Sequence, residues 1–272
     1  MSEAAIDLSG DQASGLRRLF GTRAPQVVAF ASGRESCGRT TLLVQTAAAL
    51  AAAGHAVVIV DENPAPNNAV SAFGLTARYD LWHAVQGERS LRQVMLAAAP
   101  LICIVPAARA ARDLDHADAA TLQQLAFSLA ELQRGAAFVL IDCATRRGGH
   151  LSALAQAARH LAVVVAAHSS AITHAYAIIK HMAQERGRDG FQIVITRARA
   201  REEARAIFDN MKRVAREHLA VRLDFLGAAM VPVTEHLADA LVTRLPSALD
   251  DLDASGFIFG VARGTGAGVP VV

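Results

Sequence analysis

The sequence predicts an α/β fold, a three-layer, doubly wound and mostly parallel sheet, and three observations lead to it. Short β-branched runs alternate with longer alanine- and leucine-rich segments of helical period. The β-branched runs are apolar throughout rather than alternating, as in strands covered by helices on both faces. The chain has 272 residues, 53% hydrophobic and 19% charged, which supplies the core that such a fold requires and excludes wholesale disorder.

In chain order, strands are expected at Val27–Ala31, Ala56–Val60, Leu101–Val105, Phe138–Ile141, Leu161–Ala166, Phe191–Ile195 and Leu223–Gly227. The helical pattern fills the intervals: Arg39–Ala53, Leu81–Ala98, Ala119–Arg134, Ser152–Arg159, Ile172–Arg186, Arg201–His218 and Thr234–Thr243. Ahead of the first strand, Asp11–Phe20 reads as a short helix, and Gly264–Val272 as a glycine-rich, frayed end. In open parallel sheets ligands bind beyond the carboxyl ends of the strands. The loops after Ala31, Val60, Ile141 and Ile195 therefore form the expected functional edge.

Several classes are excluded. No apolar stretch approaches the roughly 20 residues of a membrane span, and Met1–Asp11 lacks the apolar region of a secretory signal. A cytoplasmic protein is expected. Cys37, Cys103 and Cys143 are too scattered for a disulfide or zinc framework, and no histidine pair has ligand spacing. A net charge of +2 gives no bulk attraction for nucleic acid, and the cluster Arg197, Arg199, Arg201, Arg205 reads as a solvated face.

The most informative segment runs from Val27 to Thr41: a strand, a small-residue loop with the spacing Gly33-x4-Gly38-Arg39-Thr40, and a helix start. That is one substitution from a phosphate-binding P-loop, in which backbone N–H groups curl around phosphate oxygens, a cation meets the terminal phosphates and a hydroxyl meets Mg²⁺. An ordinary strand-to-helix turn shares this punctuation. What favours the phosphate loop is its place after the first strand, with Asp61 and Asp142 ending later strands where acids organise a magnesium shell and water.

These residues resemble the MinD/ParA group of deviant P-loop ATPases, over about residues 11–246. Within that group the chain looks most like the FlhG (FleN) family of regulators of flagellar number. Three stretches carry the likeness: Asp11-Gln12-Ala13-Ser14-Gly15-Leu16-Arg17, Ile172–Lys180 and Gly227–Pro232. The resemblance implies ATP and Mg²⁺ as ligands. Gly33, Arg34, Cys37, Gly38, Arg39, Thr40 and Thr41 would take the phosphates, Thr40 and Asp142 the Mg²⁺, and Thr196, Arg197 and Pro232 the adenine. It also implies homodimer formation.

The chain departs from the family pattern where the chemistry lies. Arg34 and Arg39 replace two lysines, and a planar guanidinium fits a tight loop poorly. Glu35 and Ser36 replace glycines, and a carboxylate ~4 Å from a phosphate charge is repelled by about 4 kcal/mol at an effective dielectric of 20. Asn63 replaces the second acid of the family's Asp-x-Asp pair, so the degenerate catalytic set is Asp61, Asn63 and Asp142. Cys143–Gly148 replaces the usual switch sequence, and His168, Ser169 and His174 replace Glu, Pro and Asp. ATP hydrolysis is therefore expected to be very slow or absent. The alternatives are a working, ATP-dimerising switch that uses arginine in place of lysine, and a ParA-type partitioning protein.

The resemblance divides the chain into an activator segment (1–24), a P-loop domain (25–248) and a tail (249–272). Asp11, Gln12, Ala13, Leu16 and Arg17 match the family's activator motif, which implies docking on FlhF, a signal-recognition-type GTPase, with Gln12 as both donor and acceptor in the partner's site. Relatives carry a membrane-binding carboxyl-terminal helix. Here Asp250, Asp251 and Asp253 disfavour anionic lipid, and only Phe257-Ile258-Phe259 offers an apolar wedge for peripheral contact with the inner membrane.

Overall fold

A computed structural model describes residues 25–33, 37–144 and 146–230. Their centre is one eight-stranded sheet: β1 (Gln26–Ala31), β2 (Val57–Asp61), β3 (Leu96–Ala99), β4 (Ile102–Pro106), β5 (Phe138–Asp142), β6 (His160–Ala166), β7 (Gly190–Ala198) and β8 (Arg222–Met230). The spatial order is β3-β4-β2-β5-β1-β6-β7-β8. All neighbours run parallel except β3 against β4. The described helices are α1 (Arg39–Ala52), α2 (Ala69–Ala72), α3 (Leu81–Val85), α4 (Leu91–Val94), α5 (Ala108–Asp113), α6 (Ala119–Gln133), α7 (Ala153–Ala157), α8 (Ser169–Arg186) and α9 (Arg201–Leu219).

The core follows the two-residue period of the strands. Val58, Val60, Val139, Ile141, Leu161, Val163 and Val165 join one buried cluster, whereas Val57, Ile59, Leu140, Ala162 and Val164 join the other, beneath α1 and α2. Both faces of the inner strands are apolar because both are covered. The α/β, doubly wound expectation holds.

Corrections fall where local propensity loses to tertiary pairing. The single helix expected over Leu81–Ala98 is instead α3, α4 and strand β3. Gly87, at φ 73, ends the first piece, and a capping box between Ser90 and Gln93 starts the second. Leu96–Ala99, helical by composition, pairs antiparallel with β4 through the turn at Leu101. Two short helices, α2 and α5, were not expected. Helix α8 begins at Ser169, capped by His168, rather than at Ile172. Helix α7 stops at Ala157 because His160 already pairs in β6. The expected helices Asp11–Phe20 and Thr234–Thr243 lie outside the described residues.

Candidate nucleotide site

The topology brings the ends of three strands together, β1, β5 and β2. Strand β1 lies between β5 and β6, and the register sets Phe30 level with Asp142 and Asp142 level with Asp61. The loop leaving β1 therefore emerges beside both acids. It enters α1 through Gly38, whose left-handed φ of 79 suits glycine. At the other end of the loop, Gly33 lies against α8: a Cβ on Gly33 would come within 2.4 Å of the His174 Cβ and 2.6 Å of its carbonyl carbon. Cys37 is buried, and its carbonyl accepts the Thr196 hydroxyl at 2.7 Å, which ties the end of β7 to the loop.

Arg39, the first residue of α1, is buried and turns toward the sheet. Its Nε lies 2.5 Å from Asp142 Oδ1, and a terminal nitrogen donates to Ser32 Oγ at 3.3 Å. The other Asp142 oxygen accepts the Thr40 hydroxyl at 2.6 Å. Thr40 Oγ1 in turn accepts Asn63 Nδ2 at 3.2 Å, and Asn63 Oδ1 accepts the Ala65 N–H at 3.1 Å. The donor role at Thr40 is one that aspartate at position 63 would lack unless protonated.

Asp61 serves its own loop. Its two oxygens accept the Asn63 N–H at 3.1 Å and the Val70 N–H at 3.0 Å, which fixes the start of α2. Burial pushes its carboxyl up to about 6; the Val70 N–H acts against this and the Asp142 charge adds to it.

Glu62, which the sequence reading passed over, is fully buried. Strand alternation sends residues 61 and 63 toward α1 and residue 62 toward the opposite face. There its carboxylate accepts the Ser152 hydroxyl and the Ala144 N–H, the latter at 3.2 Å. Burial pushes it up to about 7, against the lowering effect of Ser152, Ala144, Arg146 and Arg39. Burial also raises the Cys143 thiol, which suits a core residue rather than a nucleophile.

Of the residues predicted for the site, the structure gathers Gly33, Cys37, Gly38, Arg39, Thr40, Asp61, Asn63, Asp142 and Thr196. Thr41 is exposed on the first turn of α1. Arg197 is exposed with a left-handed φ of 58. Arg34, Pro232 and the amino-terminal Asp11, Gln12, Ala13, Leu16 and Arg17 lie outside the described residues, as do Phe257-Ile258-Phe259. The donor set suits a hard cation at Thr40 and Asp142, since hydroxyl and carboxylate oxygens are what Mg²⁺ takes. Arg39, however, already neutralises the carboxylate such an ion would use.

A strand, loop and helix entry at the centre of a parallel sheet, with acids ending the neighbouring strands, is the arrangement of the α/β class built on a P-loop. The chain belongs to the CobQ/CobB/MinD/ParA nucleotide-binding domain family, which it matches over residues 28–247. The MinD/ParA resemblance read from its motifs is thus borne out. It is similar to the antiactivator FleN of Pseudomonas aeruginosa, 27% identical over 216 residues that cover 79% of this chain and 76% of that protein. It is also similar to the flagellum site-determining protein YlxH of Helicobacter pylori, 23% identical over 202 residues, with 74% and 68% covered. In fold it resembles the cobyrinic acid a,c-diamide synthase of Mycobacterium smegmatis, solved with an ATP analogue and magnesium: TM-score 0.58, 18% identity, 86% of this chain and 97% of that one covered. Among the described residues no helix is long and apolar enough to cross a membrane, and no group of three His, Cys, Asp or Glu side chains is disposed to hold a metal ion.

Proposed function

We propose that this chain is a regulator of flagellar number or placement, of the FlhG/FleN type, that acts by protein contact and hydrolyses ATP very slowly or not at all. The observation that carries the weakened chemistry is the closed network Arg39–Asp142–Thr40–Asn63. To admit Mg²⁺, Thr40 and Asp142 would have to exchange internal partners, with a guanidinium held beside a divalent ion. Asn63 lacks the carboxylate that would accept a proton from water, and Asp61 spends both oxygens on backbone N–H groups. Bound Mg²⁺ would supply charge neutralisation at the terminal phosphates; this chain's own residues are arranged to neutralise one another.

The similarity to FleN and YlxH supports the flagellar setting. The proposed partner is a signal-recognition-type GTPase like FlhF, engaged by the segment containing Asp11, Gln12, Ala13, Leu16 and Arg17. The activator motif matches at each specified position, whereas the phosphate loop does not. Steady-state ATPase and FlhF-type GTPase assays, run side by side on the whole chain, test this. The expected result is negligible ATP turnover together with GTPase stimulation that Gln12→Ala removes. ATP turnover at rates ordinary for switch ATPases and abolished by Arg39→Ala, or stimulation indifferent to Gln12, would overturn it.

A further inference from the structure

The chain following β5 leaves the carboxyl edge of the sheet at Asp142, beside Asp61, and it is fastened by side chains of the protein itself. Glu62 sits at the end of β2, on the face of the sheet opposite to Asp61 and Asn63. One of its oxygens accepts the Ala144 N–H at 3.2 Å, and the other accepts the Ser152 hydroxyl. Ser152 Oγ also accepts the Ala155 N–H at 3.0 Å, as the cap of α7. One carboxylate thus grips both flanks of the connection from β5 to α7.

Two further contacts hold the same stretch. Arg146 donates to the carbonyl of Ala111 in α5. Gly149, at a left-handed φ of 82, presses on the backbone of α8 so closely that a Cβ would come within 2.8 Å of Ala177 and Ile178. Glu62 is buried, and its backbone N–H donates to the Asp142 carbonyl at 3.1 Å, so the side chain starts from a fixed point.

We infer that Glu62 is a positioning residue that fastens the β5–α7 connection at Ala144 and Ser152, so that the chain's own side chains hold this connection in one arrangement. The inference deepens the reading of a contact-acting regulator, and rests on it for what the fastened connection is used for. Its mechanics rest on the bonds alone.

Hydrogen exchange of the nucleotide-free full chain, followed by NMR at Ala144 and Ala155, tests it. In the wild type both amides are expected to be protected at least about a hundredfold over unstructured chain. A methionine at 62 fills the space but offers no oxygen acceptor to the Ala144 N–H or the Ser152 hydroxyl. Glu62→Met is therefore expected to speed exchange at Ala144 about tenfold or more and leave Ala155, still capped by Ser152 Oγ, near its wild-type rate. Ser152→Ala should do the reverse, and it keeps the proposal testable if the Glu62 variant folds poorly. An unprotected Ala144 in the wild type would overturn the inference, and so would variants that change both amides equally along with those of β6. Fast ATP turnover would sink the reading of an impaired ATPase and leave this one standing.

Discussion

Arg39 Nε and Asp142 Oδ1 lie 2.5 Å apart, with 7% and 0% of their side-chain surfaces exposed, at the point where the phosphate loop enters α1. A buried carboxylate this close to a guanidinium is neutralised within the protein, and removing only the cation leaves the charge stranded.

Arg39→Met is therefore expected to destabilise the fold by about 3–5 kcal/mol, the range for breaking one side of a buried pair. Combining it with Asp142→Asn should recover part of that loss, because no uncompensated charge then remains. Urea denaturation of the two single variants and the double checks this. A double variant as unstable as the sum of the singles would show that the pair contributes no coupling.

Asn63 hands a donor to Thr40 Oγ1 that a carboxylate does not provide. Asn63→Asp should cost about 1–2 kcal/mol in metal-free buffer, through the lost hydrogen bond and a third acid near Asp61 and Asp142. The same change should make stability respond to millimolar Mg²⁺, since a cation is then the remaining way to offset the added charge. Thermal unfolding with and without Mg²⁺, wild type against variant, reads both effects; equal Mg²⁺ responses would contradict this account.

Much of this site was legible from sequence. The spacing from Gly33 to Thr40, with Asp61 and Asp142 ending apolar strands, located the carboxyl edge and its residues, because parallel strands leave few places for such acids. Glu62 is not marked by the motif, whose pattern lies in the outer positions of Asp61-Glu62-Asn63. The two-residue period could have flagged the middle acid as facing elsewhere. Partner choice is harder to read. That Arg39 turns to Asp142, or that Asp61 accepts the Val70 N–H in the first turn of α2, depends on groups brought together across 103 and 9 residues respectively. Strand β3 was hidden for a related reason: Leu96-Ala97-Ala98-Ala99 favours helix locally and becomes strand only through β4.

The raised carboxyls predict an inverted pH dependence of stability. Glu62 moves from 4.5 to about 7 and Asp61 from 3.8 to about 6 on folding. Between those values the folded protein holds more protons than the unfolded chain, so stability falls as pH rises. The penalty is absent below about pH 4 and complete above about pH 7.5, at roughly 3 kcal/mol for each group. Denaturation midpoints should therefore be higher near pH 5.5 than near pH 8, and Glu62→Gln should flatten the slope. A variant with the wild-type slope would remove Glu62 from this account.

Gly33 offers a purely steric test, because its backbone is not in the left-handed region and the obstacle is α8 itself. A methyl at position 33 would meet the Cβ, carbonyl carbon and carbonyl oxygen of His174 at 2.4–2.7 Å, and two of those atoms belong to a helix backbone that cannot rotate away. Either the phosphate loop or the first turns of α8 must move, and overpacking of this kind costs about 1–3 kcal/mol or more. Gly54 is the matched control: it has a left-handed φ of 85 and nothing within 4 Å of its Cβ position, so alanine there carries only backbone strain of about 1 kcal/mol. Gly33→Ala should be the more destabilising of the two. It should also speed amide exchange in the first two turns of α8, where Gly54→Ala leaves exchange unchanged. If Gly33→Ala costs no more than Gly54→Ala, the loop is not seated on α8 in solution.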